Sequence, residues 1–291
     1  MFKLDGTLPL PEIEMNHWQG FALSGPVRVG NQAAEHVQND VYGEILLILA
    51  PLYFDDRLSY LREDNYTMIF ERLALRAYET LWEKDAGLWE HRNSWKRHCF
   101  TFLMSWAGLD RYLKLLTLGK IKGNIQKVQE WYEASLKELY ESTYEGVIFN
   151  SPEEHTPDAA LFFLAILRFP SDNIVRKTTF TLHEILGVKE EGAKESTFIY
   201  RYQRGDDFGK PKHAFVICTY WLIEALAKLG EVDRARKILI DSLRAANHVG
   251  LLSEHFDVKN NQQTGNFPQC YSHVGLINAA FAVSLEWDKL L

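Results

Sequence analysis

Cysteine is scarce: the 291 residues contain three, Cys99, Cys218 and Cys270, far apart in the chain. That number and spacing exclude a disulfide framework and a cysteine metal site, and make a reducing compartment the expectation. Clustered basic residues are also lacking. With 32 Lys and Arg against 39 Asp and Glu the formal net charge is -7, and no basic stripe is available to neutralise phosphates, so nucleic acid is not expected as a partner. Long apolar runs are missing as well. Charged or polar residues interrupt each one before it could cross a bilayer, and the first six residues lack the apolar core of a signal peptide. These absences predict a cytoplasmic protein with no membrane contact. Asp206-Asp207-Phe208-Gly209 contains a kinase-like Asp-Phe-Gly triplet, but no glycine-rich loop or His-Arg-Asp stretch accompanies it, which excludes phosphoryl transfer.

What the chain does have is apolar content. At 46% hydrophobic and 13% aromatic it can bury a sizeable core, in one large domain or two ordinary ones. Residues 1–32 read as a lead-in punctuated by Pro and Gly, with Trp18 and Phe21 expected to pack against the body. Apolar residues then recur at helical spacing over 33–53 and 63–82, where Tyr66, Ile69, Phe70, Leu73, Ala77 and Leu81 form one stripe. Further helices are predicted over 99–118, 123–141, 158–168, 172–186, 214–229, 232–247 and 274–287. No strand pattern stands out. The links between helices alternate, short at 54–62, 119–122, 169–171 and 230–231, long at 85–98, 142–157, 187–213 and 248–273. Antiparallel helices put every second loop at the same end, so the long loops and the lead-in should meet at one rim. The fold class expected is all-α, a toroid of helical hairpins, and its ninth helix has no hairpin partner in this sequence.

Two rim loops carry acids in suggestive settings. In Gly250-Leu-Leu-Ser-Glu-His-Phe-Asp257, Leu251 and Leu252 should anchor the segment and Phe256 should close its far side, leaving Glu254 braced between apolar neighbours. A carboxylate that is ionised and fixed in direction suits a general base, although a loop acid capping the next segment looks the same in sequence. Glu90 follows Leu88 and Trp89 and precedes Arg92 by two residues, so desolvation should raise its pKa while the guanidinium lowers it. Two such acids meet the needs of glycoside hydrolysis, and Trp18, Trp89, Trp95, Phe208 and Tyr271 could offer faces to sugar rings.

An ordered set of short stretches resembles glycoside hydrolase family 15, the family of glucoamylases, glucodextranases and some trehalases. They are Pro26-Val-Arg-Val-Gly-Asn31 with Gln38-Asn-Asp-Val-Tyr-Gly43, Gly87-Leu-Trp-Glu90 with Arg92, Pro157-Asp158-Ala-Ala160, and Arg201-Tyr202. The series continues with Cys218–Ala227, Gly250–Glu254, and Gly265-Asn-Phe-Pro-Gln269 with Ser272–Ala279. The resemblance implies an (α/α)6 toroid and inverting hydrolysis of α-glucosidic bonds, with Glu90 in the position of the general acid and Glu254 in that of the general base. Inversion calls for carboxyl groups roughly 6.5 to 9.5 Å apart. It further implies that Arg201, Tyr202, Trp89 and Arg92 line the sugar site, that the substrate is an α-glucoside or oligosaccharide, and that no cofactor is needed.

Two departures qualify this reading. Nothing in residues 1–25 matches the Asn-Trp-Asp-Tyr-Arg segment that usually comes earlier in the family, so the expectation is one catalytic domain over 1–291 that lacks its first helices. Residue 255 is His where glucoamylases typically have Gln, which keeps trehalose and short α-glucosides open beside glucose polymers. A different class of function also stays open, a non-catalytic carbohydrate-binding or scaffold remnant. So does half of a split enzyme, with self-association or an N-terminal partner chain closing the toroid. His248, Glu254, His255 and Asp257 fit no His-Glu-x-x-His spacing, and no metal is expected. His273 is expected to be a satisfied helix-start histidine, Asp158 to start its helix, Gln38 and Asp40 to belong to the rim or tie helices together, and Lys189–Glu195 to be a solvated loop.

Overall fold

The computed structural model describes residues 2–63, 66–92, 95–205 and 209–285. Asp206, Asp207 and Phe208, singled out above, lie outside the described residues. The helices in chain order are α1 (Val41–Leu49), α2 (Pro51–Phe54), α3 (Tyr66–Glu79), α4 (Cys99–Thr117) and α5 (Ile125–Glu141). They continue with α6 (Phe163–Ile166), α7 (Asp172–Leu186), α8 (Val216–Lys228), α9 (Val232–Ser242) and α10 (Cys270–Val283). Among the described residues seven strands of two or three residues accompany them: β1 (Ile13–Glu14), β2 (Arg28–Val29), β3 (Thr143–Tyr144), β4 (Val147–Ile148), β5 (Ala214–Phe215), β6 (His255–Asp257) and β7 (Gln262–Thr264). Strands this short are below the length at which a period of two can be read, so no strand pattern stands out in a sequence whose structure is, as expected, mainly helical.

The chain divides into two compact units, 36–155 and the pair of segments 1–35 and 156–291. Within 36–155, α4 is buried along almost its whole length and packs against α1, α3 and α5. An all-round apolar sequence such as Cys-Phe-Thr-Phe-Leu-Met-Ser-Trp-Ala suits that central place, whereas α5 is amphipathic and turns its charged residues outward. The core on this side includes Leu46, Tyr53, Phe70, Leu109, Tyr112 and Trp131. α1 and α4 cross where both are glycine: a Cβ on Gly43 would fall 2.1 Å from the Met104 carbonyl oxygen, and one on Gly108 2.8 Å from the Gly43 Cα. The two long loops of this unit meet, since the Cys99 N–H donates to the Asn150 carbonyl at 2.8 Å and Arg97 pairs with Glu153.

Within the other unit α8 is the central buried helix, packed against α6, α7, α9 and α10. Here too the long loops converge. β5 pairs antiparallel with β6 and β6 with β7, joining the 187–213 loop's end to the 248–273 loop. The lead-in joins them: the Phe21 ring stacks on Phe267 at 4.3 Å, and the Gly265 N–H donates to Ser24 Oγ at 2.9 Å.

Several sequence expectations shift. The helix expected over 33–53 breaks into a 3-10 turn (Gln32–Glu35), α1 and α2, because the Asn39 N–H is taken by Asp85 and Pro51 restarts the helix. Residues 214–215 extend instead of coiling, since the Phe215 N–H bonds the Ile199 carbonyl. Trp18 is 60% exposed and only its neighbour Phe21 packs; Leu251 is exposed and Leu252 alone anchors its loop. Among the described residues no helix is long and apolar enough to cross a membrane.

Candidate active-site carboxylates

Glu90 sits on a tight turn built under it from α4 and from the segment before α1. The buried carboxylate of Asp85 accepts from the N–H groups of Asn39 (2.8 Å) and Gly87 (3.0 Å) and from Thr101 Oγ1 (3.0 Å). Gln38 Nε2 donates to the Gly87 carbonyl at 3.0 Å. The Glu90 and His91 N–H groups return to the carbonyls of Gly87 and Ala86, which closes the turn. Glu90 itself has φ 55°, left-handed backbone that a non-glycine residue adopts only when its surroundings impose it. Its carboxyl is partly buried and its pKa is raised by that desolvation, against the opposing pull of His36 and Arg92. Burial therefore wins the contest between the Leu88–Trp89 side and Arg92. Trp89 and Arg92 are both half-buried beside it. Gln38, ambiguous in sequence, is a tie to the acid's turn.

In the other unit Glu254 immediately precedes β6, and its backbone is fixed on both sides: its N–H donates to the Asn266 carbonyl and its carbonyl accepts from the Val216 N–H. The carboxylate is then gripped. Tyr271 Oη donates to Oε1 at 2.9 Å, the Asn266 N–H and Nδ2 reach Oε2 at 3.2 Å each, and His255 Nδ1 lies 3.3 Å from Oε2. Burial opposes ionisation here, yet the contacts from His255, Asn266 and Tyr271 overcome it and bring the pKa down to about 2. Tyr271, one of the candidate sugar-stacking aromatics, serves instead as a hydrogen-bond donor, and burial beside an anion keeps its phenol protonated. The grip requires a glycine. Gly265 has φ +79°, and a Cβ there would meet His255 Nδ1 at 2.6 Å and Glu254 Oε2 at 2.9 Å.

The same unit places Arg201 near this loop. Its guanidinium lies over the Tyr202 ring (4.7 Å) and near the Phe215 ring (5.6 Å), and Phe215 in turn meets His255 edge-on at 4.7 Å. Tyr202 is 1% exposed, so it is a platform under Arg201 and not an open face for a sugar. Asp158 Oδ1 accepts from the Ala160 N–H at 2.9 Å and so starts its 3-10 turn. His273 accepts from the Leu252 N–H at 3.1 Å and donates to the Gln269 carbonyl at 2.8 Å, a satisfied histidine that holds the anchor of the Glu254 loop. The hydrogen-bonding roles of His255, Asn266 and Tyr271 around Glu254 are not readable in the sequence, where His255 stands out only as a departure from Gln, Tyr271 only as an aromatic, and Asn266 only within the Gly265–Gln269 stretch.

Residues 1–281 match the family model described as glycosyl hydrolases family 15. The chain belongs to this family. Family 15 membership is supported by curated relatives: Trehalase 1 of Sulfolobus acidocaldarius is 31% identical over 96% of this chain and 47% of its own length. The trehalase of Mycobacterium tuberculosis is 29% identical over 97% of this chain and 41% of its own. The chain thus spans less than half the length of these two relatives. Among solved structures, the Hormoconis resinae glucoamylase superposes with a TM-score of 0.69 at 12% identity, over 85% of this chain and 53% of that one. The Saccharomycopsis fibuligera glucoamylase gives 0.63 at 15% identity, over 84% and 70%. The fold is accordingly that of the glucoamylase-type (α/α)6 glycosidases.

Proposed function

We propose that this domain hydrolyses α-glucosidic bonds with inversion at the anomeric carbon, Glu254 acting as general base and Glu90 as general acid. The observation that carries the reading is the divergence of the two carboxyl groups: one is held ionised by a ring of donors and the other is pushed toward its protonated form by burial. Environments that push a pair of acids apart in this way assign their roles. Glu254 takes a proton from water as the water oxygen bonds to the anomeric carbon. The bond from that carbon to the leaving oxygen breaks as Glu90 gives it a proton, and the two products separate as free sugars. The fork of Arg201, oriented by Tyr202 beneath it, suits two neighbouring hydroxyls of the glucosyl unit. Trp89 and Arg92 would flank the acid.

Trehalose is the first substrate to test because both curated relatives described above are named trehalases. Glucose release from trehalose and from maltose by the purified chain is expected to disappear in Glu90→Gln and in Glu254→Gln, a loss on the order of 100-fold or more for a group that handles the transferred proton. Activity at the parent level in both variants would overturn the assignment. Sugar binding without any release by the parent would support a carbohydrate-binding role in its place.

A further inference from the structure

The charged run Lys189–Glu195, expected from sequence to be a solvated loop, is fastened at both ends. Lys189 Nζ donates to the Glu184 carbonyl at 3.2 Å, Glu190 pairs with Arg244, and Glu195 pairs with Arg234 of α9. Residues 191–194 remain exposed between these ties. The fastened run closes one side of a cavity of about 380 Å3, whose lining includes His183, Lys189, Lys194, Glu195, Ser196 and Arg234.

Arg234 is the fixed point of this cavity. Its Nε and Nη2 donate to Glu195 Oε1, Nη2 also reaches His183 Nδ1 at 3.2 Å, and the guanidinium lies 5.2 Å from the centre of the Phe180 ring. His183 is buried, and its Nε2 lies 2.8 Å from the Ser196 carbonyl. A guanidinium only donates and a carbonyl only accepts, so Nδ1 is the acceptor and Nε2 carries the hydrogen. Burial favours that neutral ring by lowering its pKa.

These contacts leave part of the lining unspent. Arg234 Nη1, Lys194 Nζ, Ser196 Oγ and Glu195 Oε2 have no hydrogen-bond partner among the described residues. The Ser196 hydroxyl is crowded into place by backbone, since a Cβ on Gly187 would fall 2.7 Å from it. Charge then selects the ligand. Lys189, Lys194 and Arg234 stand against Glu184 and Glu195, which leaves one positive charge in the cavity of a chain whose formal net charge is -7. One negative charge is matched there and two overshoot. Arg234 Nη1 and the Lys194 ammonium suit the two oxygens of a carboxylate, and Ser196 Oγ and Glu195 Oε2 suit a hydroxyl beside it.

We propose that this cavity binds a small hydroxycarboxylate bearing a single negative charge. The site does not depend on the hydrolytic reading, because none of its residues belongs to the surroundings of Glu90 or Glu254.

Calorimetric titration of the full chain with glycerate, propionate and sulfate tests it. Glycerate should bind most tightly, and propionate, the same carbon skeleton without hydroxyls, about tenfold more weakly through the loss of one or two hydrogen bonds. Ser196→Ala should weaken glycerate about tenfold and leave propionate unchanged, and the retained propionate binding shows that the variant is folded. Lys194→Ala, at an exposed position, should weaken both acids about tenfold. No heat from glycerate would mean a structural ion pair only and overturn the site. Sulfate binding as tightly as glycerate, equal weakening of both acids by Ser196→Ala, or glycerate affinity unchanged in both variants would overturn it as well.

Discussion

Glu254 and Glu90 are the same residue type with opposite burdens, and the difference lies in a handful of neighbours. Of the donors on Glu254, the Tyr271 phenol is the one that can be deleted with least disturbance, since phenylalanine keeps the ring that stacks near Phe215. A hydrogen bond to a charged group contributes about 1.5 to 3 kcal/mol, equivalent to about one to two pH units in the pKa of its acceptor. Tyr271→Phe should therefore raise the pKa of Glu254 from its depressed value. Under the proposed mechanism Glu254 must be ionised, so the acidic limb of the kcat/KM profile should move to higher pH by about that amount. The alkaline limb, which the proposal assigns to loss of the Glu90 proton, should stay in place. An acidic limb that does not move would show that Tyr271 leaves the base unaffected.

The elements hold these residues through close approaches as much as through apolar area. Where α1 crosses α4 there is no room for a Cβ on either glycine, and backbone, not a flexible side chain, is what it would strike. Gly108→Ala should destabilise the 36–155 unit by roughly 1 to 3 kcal/mol, the usual range for overpacking, with a lowered denaturation midpoint as the readout. A midpoint equal to the parent's would mean that the crossing yields. The sequence showed where most helices lie because long amphipathic stretches carry their period openly; α7 runs over the predicted residues, 172–186. It did not show β5 to β7, whose two or three residues are fixed by partners far along the chain. The start of α10 at Cys270, not Val274, is similarly invisible, yet it brings Tyr271 onto Glu254. Glu90 and Glu254 stood out as candidates from the motifs around them. Their protonation did not, because it depends on Asn266, Tyr271 and His255 in one case and on the balance of burial against His36 and Arg92 in the other.

For the molecule as a whole, the depressed pKa of Glu254 links the site to stability. A carboxyl whose folded pKa lies below its unfolded value stabilises the fold above the unfolded pKa, and that contribution is lost as pH falls toward the folded one. The window here runs from about 4.5 down to about 2. The parent should lose stability through that range more steeply than Glu254→Gln, which cannot titrate there; parallel pH dependences in denaturant melts would contradict the linkage.

The fastening of Ser24 to Gly265, and of Phe21 to Phe267, joins residues 241 or more positions apart in the same unit, with the whole of 36–155 lying between them in the chain. During synthesis the lead-in must wait until more than two hundred further residues have emerged before its partner loop exists. Contacts of such long range close late, after local helices have formed. The loop that grips Glu254 consequently reaches its final form only after residues as far apart as Ser24 and Gly265 have both emerged, and a ribosome-bound chain carries this carboxylate unassembled until then.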